Sequence, residues 1–182
     1  KLRGGKKTQE SAGITLGNYG PAPAFHADGE WFNSPPLSVA SLRGKVVLVD
    51  FWTYSCINCL RTLPHLKAWY AAYPHDGLVI VGVHSPEFDF EKVQANVEAA
   101  VHRFGVTWPV ALDSEMNTWN AYGNQYWPAE YLIDQNGKVA YIHDGEGDYT
   151  ITESAIASLL NVSTSSPTPG PPGPSSGTPE LY

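Results

Sequence analysis

The stretch Lys45-Val46-Val47-Leu48-Val49-Asp50-Phe51-Trp52-Thr53-Tyr54-Ser55-Cys56-Ile57-Asn58-Cys59 decides the reading of this chain. Its first eight residues are a near-continuous β-branched and apolar run, the pattern of a strand buried on both faces. Its last four are C-x-x-C, and these are the only two cysteines among 182 residues. Beyond Cys56, apolar positions at Leu60, Leu63, Leu66, Trp69 and Tyr70 recur at three- and four-residue spacing, which predicts a helix starting at about Cys56. A cysteine at a helix start feels the partial positive charge of unpaired N–H groups, which favours thiolate over thiol. Cys56 therefore reads as the attacking sulfur, and Cys59, one turn inside, as the resolving one. Pro64 is expected to interrupt and kink this helix.

Other readings of the cysteine pair are weaker. A structural zinc site needs four ligands, and no second cysteine pair exists. His26, His75, His102 and His143 show no metal-ligand spacing. A disulfide staple across so short a loop contributes little chain-entropy stabilisation. His65 lies nine positions after Cys56, on the opposite side of a 100° helix, and reads as structural or solvated.

Working outward, Gly77 to Val83 is a second buried strand, and Val93, Val97, Val101 and Phe104 mark an amphipathic helix. A short strand follows near Pro109 to Leu112. Glu130 to Asp134, the turn Gln135-Asn136-Gly137 and Lys138 to His143 read as a hairpin. Ile151, Ile156, Leu159 and Leu160 give a closing helix. Residues 21–44 are turn-rich with short apolar pieces and read as a loose hairpin. The alternation predicts an α/β fold with a sheet of mixed direction.

With 42% hydrophobic residues the chain suffices for one domain, placed at 12–160. Residues 1–11 read as a basic flexible leader: Lys1, Arg3, Lys6 and Lys7 are four of the eleven basic residues. The rest is more acidic than the net charge of −7 suggests, which argues against nucleic acid as a partner. Residues 161–182, rich in proline, serine, threonine and glycine, read as a linker or tail. No apolar run is long enough to span a bilayer. The chain begins on Lys1, and it is expected to be a middle piece of something longer.

These residues resemble the thioredoxin superfamily and, within it, the extracytoplasmic TlpA/ResA-like branch. The landmarks are Val49-Asp50-Phe51-Trp52 before Cys56, Pro64 five residues after Cys59, and Pro128 before a hairpin. The strings FWTYSCINCLRTLPHL, GVHSPEF, YWPAEYLID and HDGEGDY are more similar still to the thioredoxin-like domain of DipZ-type thiol-disulfide interchange proteins. The resemblance covers about Ala22 to Leu160. It implies a thioredoxin-like fold, a central mixed β-sheet flanked by helices, with an N-terminal hairpin and an inserted strand–helix unit. It also implies a thiol-disulfide oxidoreductase outside the cytoplasm that exchanges disulfides with protein substrates. No organic cofactor or metal would be needed beyond the redox-active Cys56–Cys59 pair. The electron partner would be a membrane-embedded protein or fused domain, tethering the chain to the membrane.

The resemblance also assigns residues. Asp50 resembles the buried aspartate beneath the thioredoxin active site, which helps the second cysteine exchange its proton; the alternative is a carboxylate reaching solvent at the strand end. Glu87 matches the active-site glutamate of ResA-like proteins, or else is an acid facing a helix dipole. Pro128 matches the superfamily's cis-proline, which would set Trp127 beside the dithiol to pair with an extended substrate segment. Trp127 shapes a substrate groove or packs. Trp52 covers the active-site face or sits in the core. Thioredoxin itself carries tryptophan and proline where Ser55 and Asn58 stand here, so its potential does not transfer. Two other functions remain in view. Thr53-x-x-Cys56 matches the T-x-x-C of peroxiredoxin-like peroxidases, although Val49 stands where that family has proline. The third is a non-enzymatic binding module of the same shape, which retention of both cysteines disfavours.

Overall fold

The computed structural model of the protein describes residues 6–11, 14–27 and 30–166. Its centre is a six-stranded open sheet. The strands are β3 (Trp31–Phe32), β4 (Val46–Trp52), β5 (Leu78–His84), β6 (Val110–Leu112), β7 (Ala129–Ile133) and β8 (Val139–Asp144). They lie in the order β3-β6-β5-β4-β7-β8. β4, β5 and β6 run parallel, while β3, β7 and β8 join antiparallel. β4 is the hub. All seven of its residues are buried because it has a strand on each side and helices or loops on each face.

The two faces follow from side-chain alternation along β4. Val46, Leu48 and Trp52 point into a core built with Cys59, Leu63, Leu66 and Trp69 of α1 (Ile57–Ala72), Val97 and Val101 of α2 (Gln94–Arg103), and Ala155 and Ile156 of α4 (Tyr149–Leu160). Val47, Val49 and Phe51 point the other way, against Trp119 of α3 (Asn117–Ala121), Tyr122, Tyr131 and the segment that carries Tyr19, Phe25 and Trp31. Burying one such aliphatic side chain contributes about 1.5–3 kcal/mol. The run 46–52 thus anchors both cores.

Two expectations are corrected here. The residues read as a flexible leader include a strand: β1 (Lys6–Ser11) pairs antiparallel with β2 (Ile14–Asn18). The hairpin expected over 21–44 is not formed among the described residues. That segment crosses the α3 face, contributing a bridge from Pro21 to Lys138 and the two-residue β3 against β6. Its tryptophan, phenylalanine and leucine are covering residues for a sheet face, not cross-strand partners of one another. The remainder of the leader and residues 167–182 of the tail lie outside the described residues.

Topology brings four chain segments to one edge. β4 ends at the turn into α1, β5 ends at the loop 85–91, β6 ends at Asp113, and antiparallel β7 begins there. This is the carboxyl edge of parallel strands, where loops collect in open α/β sheets.

Candidate active site

The site is assembled on the first turn of α1. Cys56 is the N-cap residue, extended at φ −82° and ψ 112°, and its Sγ accepts the backbone N–H of Cys59 at 3.2 Å. A sulfur thus does what a serine or aspartate oxygen does at most helix starts, satisfying an N–H that has no partner within the helix. The backbone closes behind it: Cys56 N donates to Thr53 O at 3.2 Å. Cys56 is half-buried, whereas Cys59 is only 1% exposed. The thiol of Cys59 hydrogen-bonds the Cys56 sulfur, and that bond is the main influence bringing the Cys56 thiol down to about 7. Partial burial pulls against it, the N–H groups of Cys59 and Asn58 reinforce it, and the charge of Glu87 opposes it. Cys59 goes the other way. Burial pushes its thiol well up, and the neighbouring Cys56 and Asp50 add to the rise. Near neutrality the first sulfur is partly ionised, whereas the second remains a thiol.

Asp50 lies beneath them on β4, 2% exposed, with Oδ1 unpartnered and buried. Burial, then the Cys56 charge, holds its carboxyl well above the usual carboxylate range. The opposite neighbour on β5 is Gly82, where a Cβ would come within 3.1 Å of Trp52 Nε1 and 3.3 Å of Trp108 Nε1. Any larger residue there would make the two indoles give by a few tenths of an ångström.

A second layer holds the loop that delivers Cys56. Glu91, 1% exposed, accepts Thr53 Oγ1, Ser55 Oγ at 2.8 Å and Ser55 N at 3.4 Å on one oxygen. Its other oxygen accepts Glu87 N at 2.9 Å and Phe88 N at 2.8 Å. Burial would raise this carboxyl, but the bonds from Thr53, Phe88, Ser55 and Glu87 outweigh it and hold it below its ordinary value. His84, also buried, has Nε2 facing Tyr54 N at 3.3 Å and Thr53 Oγ1 at 3.4 Å. Burial takes its imidazole down to about 4, so the ring is neutral and Nε2 accepts.

Of the residues predicted from sequence, Cys56, Cys59 and Asp50 come together. Glu87 is exposed on the loop after β5, near enough to press on the Cys56 thiol. The Trp127–Pro128 peptide is cis. Trp127 is half-buried: its indole N–H donates to Ser85 O at 2.8 Å, and its ring lies 4.0 Å from that of Trp119. Trp52 is corrected. At 1% exposure, with its ring edge-on to His84 at 5.1 Å, it is core beneath the site and meets no substrate. His65 stacks on Tyr149 with ring centroids 3.4 Å apart, away from the dithiol. Among the described residues, no group of three or more His, Cys, Asp or Glu is placed to hold a metal ion.

Three residues escaped the sequence reading. His84 closes an apolar strand and carried no spacing signal. Glu91 sits in Glu87-Phe88-Asp89-Phe90-Glu91, where nothing says which acid turns inward. Glu130, 2% exposed on β7, did carry a signal: a carboxylate inside an apolar strand.

Comparison with known proteins agrees with this geometry. The family model described as the AhpC/TSA family matches residues 20–142. Protein DipZ of Mycobacterium bovis is 51% identical over 149 residues, which is 80% of this chain and 21% of that protein. The chain thus spans about a fifth of the length of that relative. Thiol-disulfide oxidoreductase ResA of Geobacillus thermodenitrificans is 38% identical over 118 residues, 65% of this chain and 63% of the relative. A crystal structure described as a thiol:disulfide interchange protein DsbE from Chlorobium tepidum superposes with a TM-score of 0.69 at 26% identity, covering 81% of this chain and 99% of that one. With an open mixed sheet, a cis-proline loop and a Cys-x-x-Cys pair whose first cysteine caps the helix after the central strand, the chain belongs to the AhpC/TSA family and has the thioredoxin-like fold.

Proposed function

We propose that the domain exchanges disulfides with protein substrates outside the cytoplasm, through Cys56 as nucleophile and Cys59 as resolving thiol. The observation that carries this reading is the asymmetry of the pair: a half-exposed sulfur at a helix start with its thiol near 7, beside a buried one held well above its ordinary value. An attacking thiol works best when its pKa lies near the ambient pH.

In the reducing direction, the Cys56 thiolate attacks a substrate disulfide. Its Sγ bonds to one substrate sulfur, and the other leaves as thiolate. Cys59 then gives its proton to Asp50 and attacks Cys56 Sγ. The bond to the substrate breaks with its electron pair on the substrate sulfur, and the Cys56–Cys59 disulfide remains. The oxidising direction is the reverse. Asp50 suits this role because its raised pKa brings it toward that of the thiol it serves. Glu87 tunes Cys56 through its charge. Trp127 and Pro128 take part in holding the substrate backbone, a role supported by the cis Trp127–Pro128 bond. Ile57, Phe88, Phe90 and Tyr126, each about half exposed on the segments around Cys56, suit a protein rather than a small thiol as partner. The chemistry calls for no cofactor or metal. Similarity to DipZ and ResA supports an extracytoplasmic setting and a membrane-embedded electron partner.

Wild-type protein should reduce a disulfide-linked protein such as insulin in the presence of dithiothreitol, and Cys56→Ser should not. If the two proteins behave alike, the enzymatic reading fails.

A further inference from the structure

The proton taken by Asp50 has to leave a position that is 2% exposed. In the register of the sheet Asp50 stands directly opposite Glu130 on β7, and Glu130 stands directly opposite His143 on β8. Paired residues of adjacent strands point to the same face, so the three side chains form one row across β4, β7 and β8. It is the face that carries α1 and α4, since Leu48 and Leu132, two positions away on the same strands, belong to that core. Directly opposite residues have Cβ atoms about 4.5–5.5 Å apart, within reach for carboxyl and imidazole groups.

Of the four buried side-chain atoms without a hydrogen-bond partner among the described residues, three fall along this row and the fourth is Trp52 Nε1. Asp50 Oδ1, Glu130 Oε2 and His143 Nε2 are all buried without a hydrogen-bond partner. The other His143 nitrogen, Nδ1, is 4.0 Å from Asp148 Oδ2 at the surface. A glutamate in the middle of an apolar strand costs stability that leucine or valine would not. We propose that Glu130, acting through Asp50, completes a proton-sharing carboxyl pair, and that the row Asp50–Glu130–His143 carries the proton released by Cys59 out to the surface at β8. This rests on the thiol–disulfide reading above.

The groups facing Glu130 are Asp50 from β4 and Tyr141 and His143 from β8, while Asp144 acts on it through charge from the other face of β8; Cys56 and Cys59, at the start of α1, act on Asp50. Burial, then Asp50, then Asp144 hold the Glu130 carboxyl well above its ordinary range. Two carboxyls in such a place do not both ionise, so one proton is shared between them. When Cys59 resolves the mixed disulfide, its proton passes to the ionised member of the pair. No hydrogen bond joins Glu130 to His143, so Glu130 hands a proton to His143 Nε2 across a bridging water, and the imidazole gives one to water from Nδ1. No net charge accumulates in the interior, and electrons move only between sulfurs.

The test uses the aromatic disulfide reagent dithiobis-nitrobenzoate in stopped flow. Attack by Cys56 releases one thionitrobenzoate, and displacement by Cys59 releases a second. In Glu130→Gln the second release should slow by about tenfold or more at neutral pH, with its pH profile displaced from that of wild type. His143→Ala should slow the same phase in weak buffer, and added imidazole should restore it, which a merely structural histidine would not show. A second phase unchanged in rate and pH profile in Glu130→Gln overturns the proposal. If that variant does not fold, a His143→Ala protein with no slowing, or with slowing that imidazole leaves untouched, overturns it instead. Absence of the first release in wild type would bring down the underlying reading of Cys56, and the proposal with it.

Discussion

Replacing Glu91 by glutamine is the sharpest probe of how the reactive loop is held. The wild-type carboxylate accepts five donors, from Thr53 Oγ1, Ser55 Oγ, Ser55 N, Glu87 N and Phe88 N. Glutamine keeps one oxygen for the two backbone donors, Glu87 N and Phe88 N. Its amide then faces the hydroxyls of Thr53 and Ser55, which can turn to accept, and leaves Ser55 N without an acceptor. What is lost is chiefly the charge on the acceptor. Bonds to a charged group contribute about 1.5–3 kcal/mol against about 0.5–1.5 for neutral ones. With four bonds of 2.9 Å or shorter affected and some relaxation, the loss is about 2–3 kcal/mol. For a domain of this size that lowers Tm by about 5–10 °C. The pH dependence is the stricter check. The folded carboxyl lies below its ordinary value, so its contribution is present above the unfolded pKa, about 4.3, and fades as pH falls through the folded one. Thermal unfolding followed by circular dichroism should show the gap at pH 7 and its closure in acid. Equal Tm values at neutral pH, or a gap that persists in acid, would refute the account of Glu91 as a charged clamp.

Other expectations concern the thiols and their surroundings. Glu87→Gln removes a charge that raises the Cys56 thiol, so the midpoint of Cys56 alkylation against pH should move below about 7; an unmoved midpoint takes Glu87 out of the site. Trp127→Phe deletes the bond to Ser85 O, worth about 1 kcal/mol, and should lower Tm by about 2–4 °C. The same variant should lose more rate with a protein disulfide than with a small aromatic one, and equal losses would exclude a substrate contact. Hydrogen peroxide consumption with a supplied thiol should be negligible beside insulin reduction, and comparable rates would favour the peroxidase alternative.

The elements legible in sequence were those whose signal is local. Val46–Trp52 reads as a central strand because buried strands admit almost nothing but apolar residues, and the cysteines that follow it declare both the helix start and the chemistry. Pro128 was legible through resemblance alone, since nothing in its neighbours specifies a cis bond. What stayed hidden depends on contacts between distant segments. The covering segment 21–44 borrows its structure from the sheet face it lies on, so its turn residues suggested a hairpin that is not formed among the described residues. Glu87 and Glu91 differ by four positions and one loop. The outer one sits where the sequence points, while the inner one makes five bonds that no spacing announces. Trp52 misled for the opposite reason. Position 52 falls on the same face as Asp50 and Cys59, but proximity to Cys56 along the chain does not reveal burial, and the indole is covered at 1% exposure.

The carboxyl groups explain why the two sulfurs must differ. Were both thiols low, the reduced site would hold two thiolates above the buried Asp50 and Glu130, in a medium that penalises each charge. The fold avoids this by directing the N–H groups of Asn58 and Cys59 to Cys56 and burying Cys59, where burial outweighs the one backbone bond from Thr53, so that the negative charge resides at the helix start. That solution makes a proton acceptor obligatory, because a thiol raised by burial cannot resolve a mixed disulfide until something takes its hydrogen. Asp50, raised by the same burial, is matched to the task for the same physical reason that Cys59 needs it. Cys56, Cys59 and Asp50 are therefore one electrostatic system. A substitution at any of the three should shift the titration of the other two.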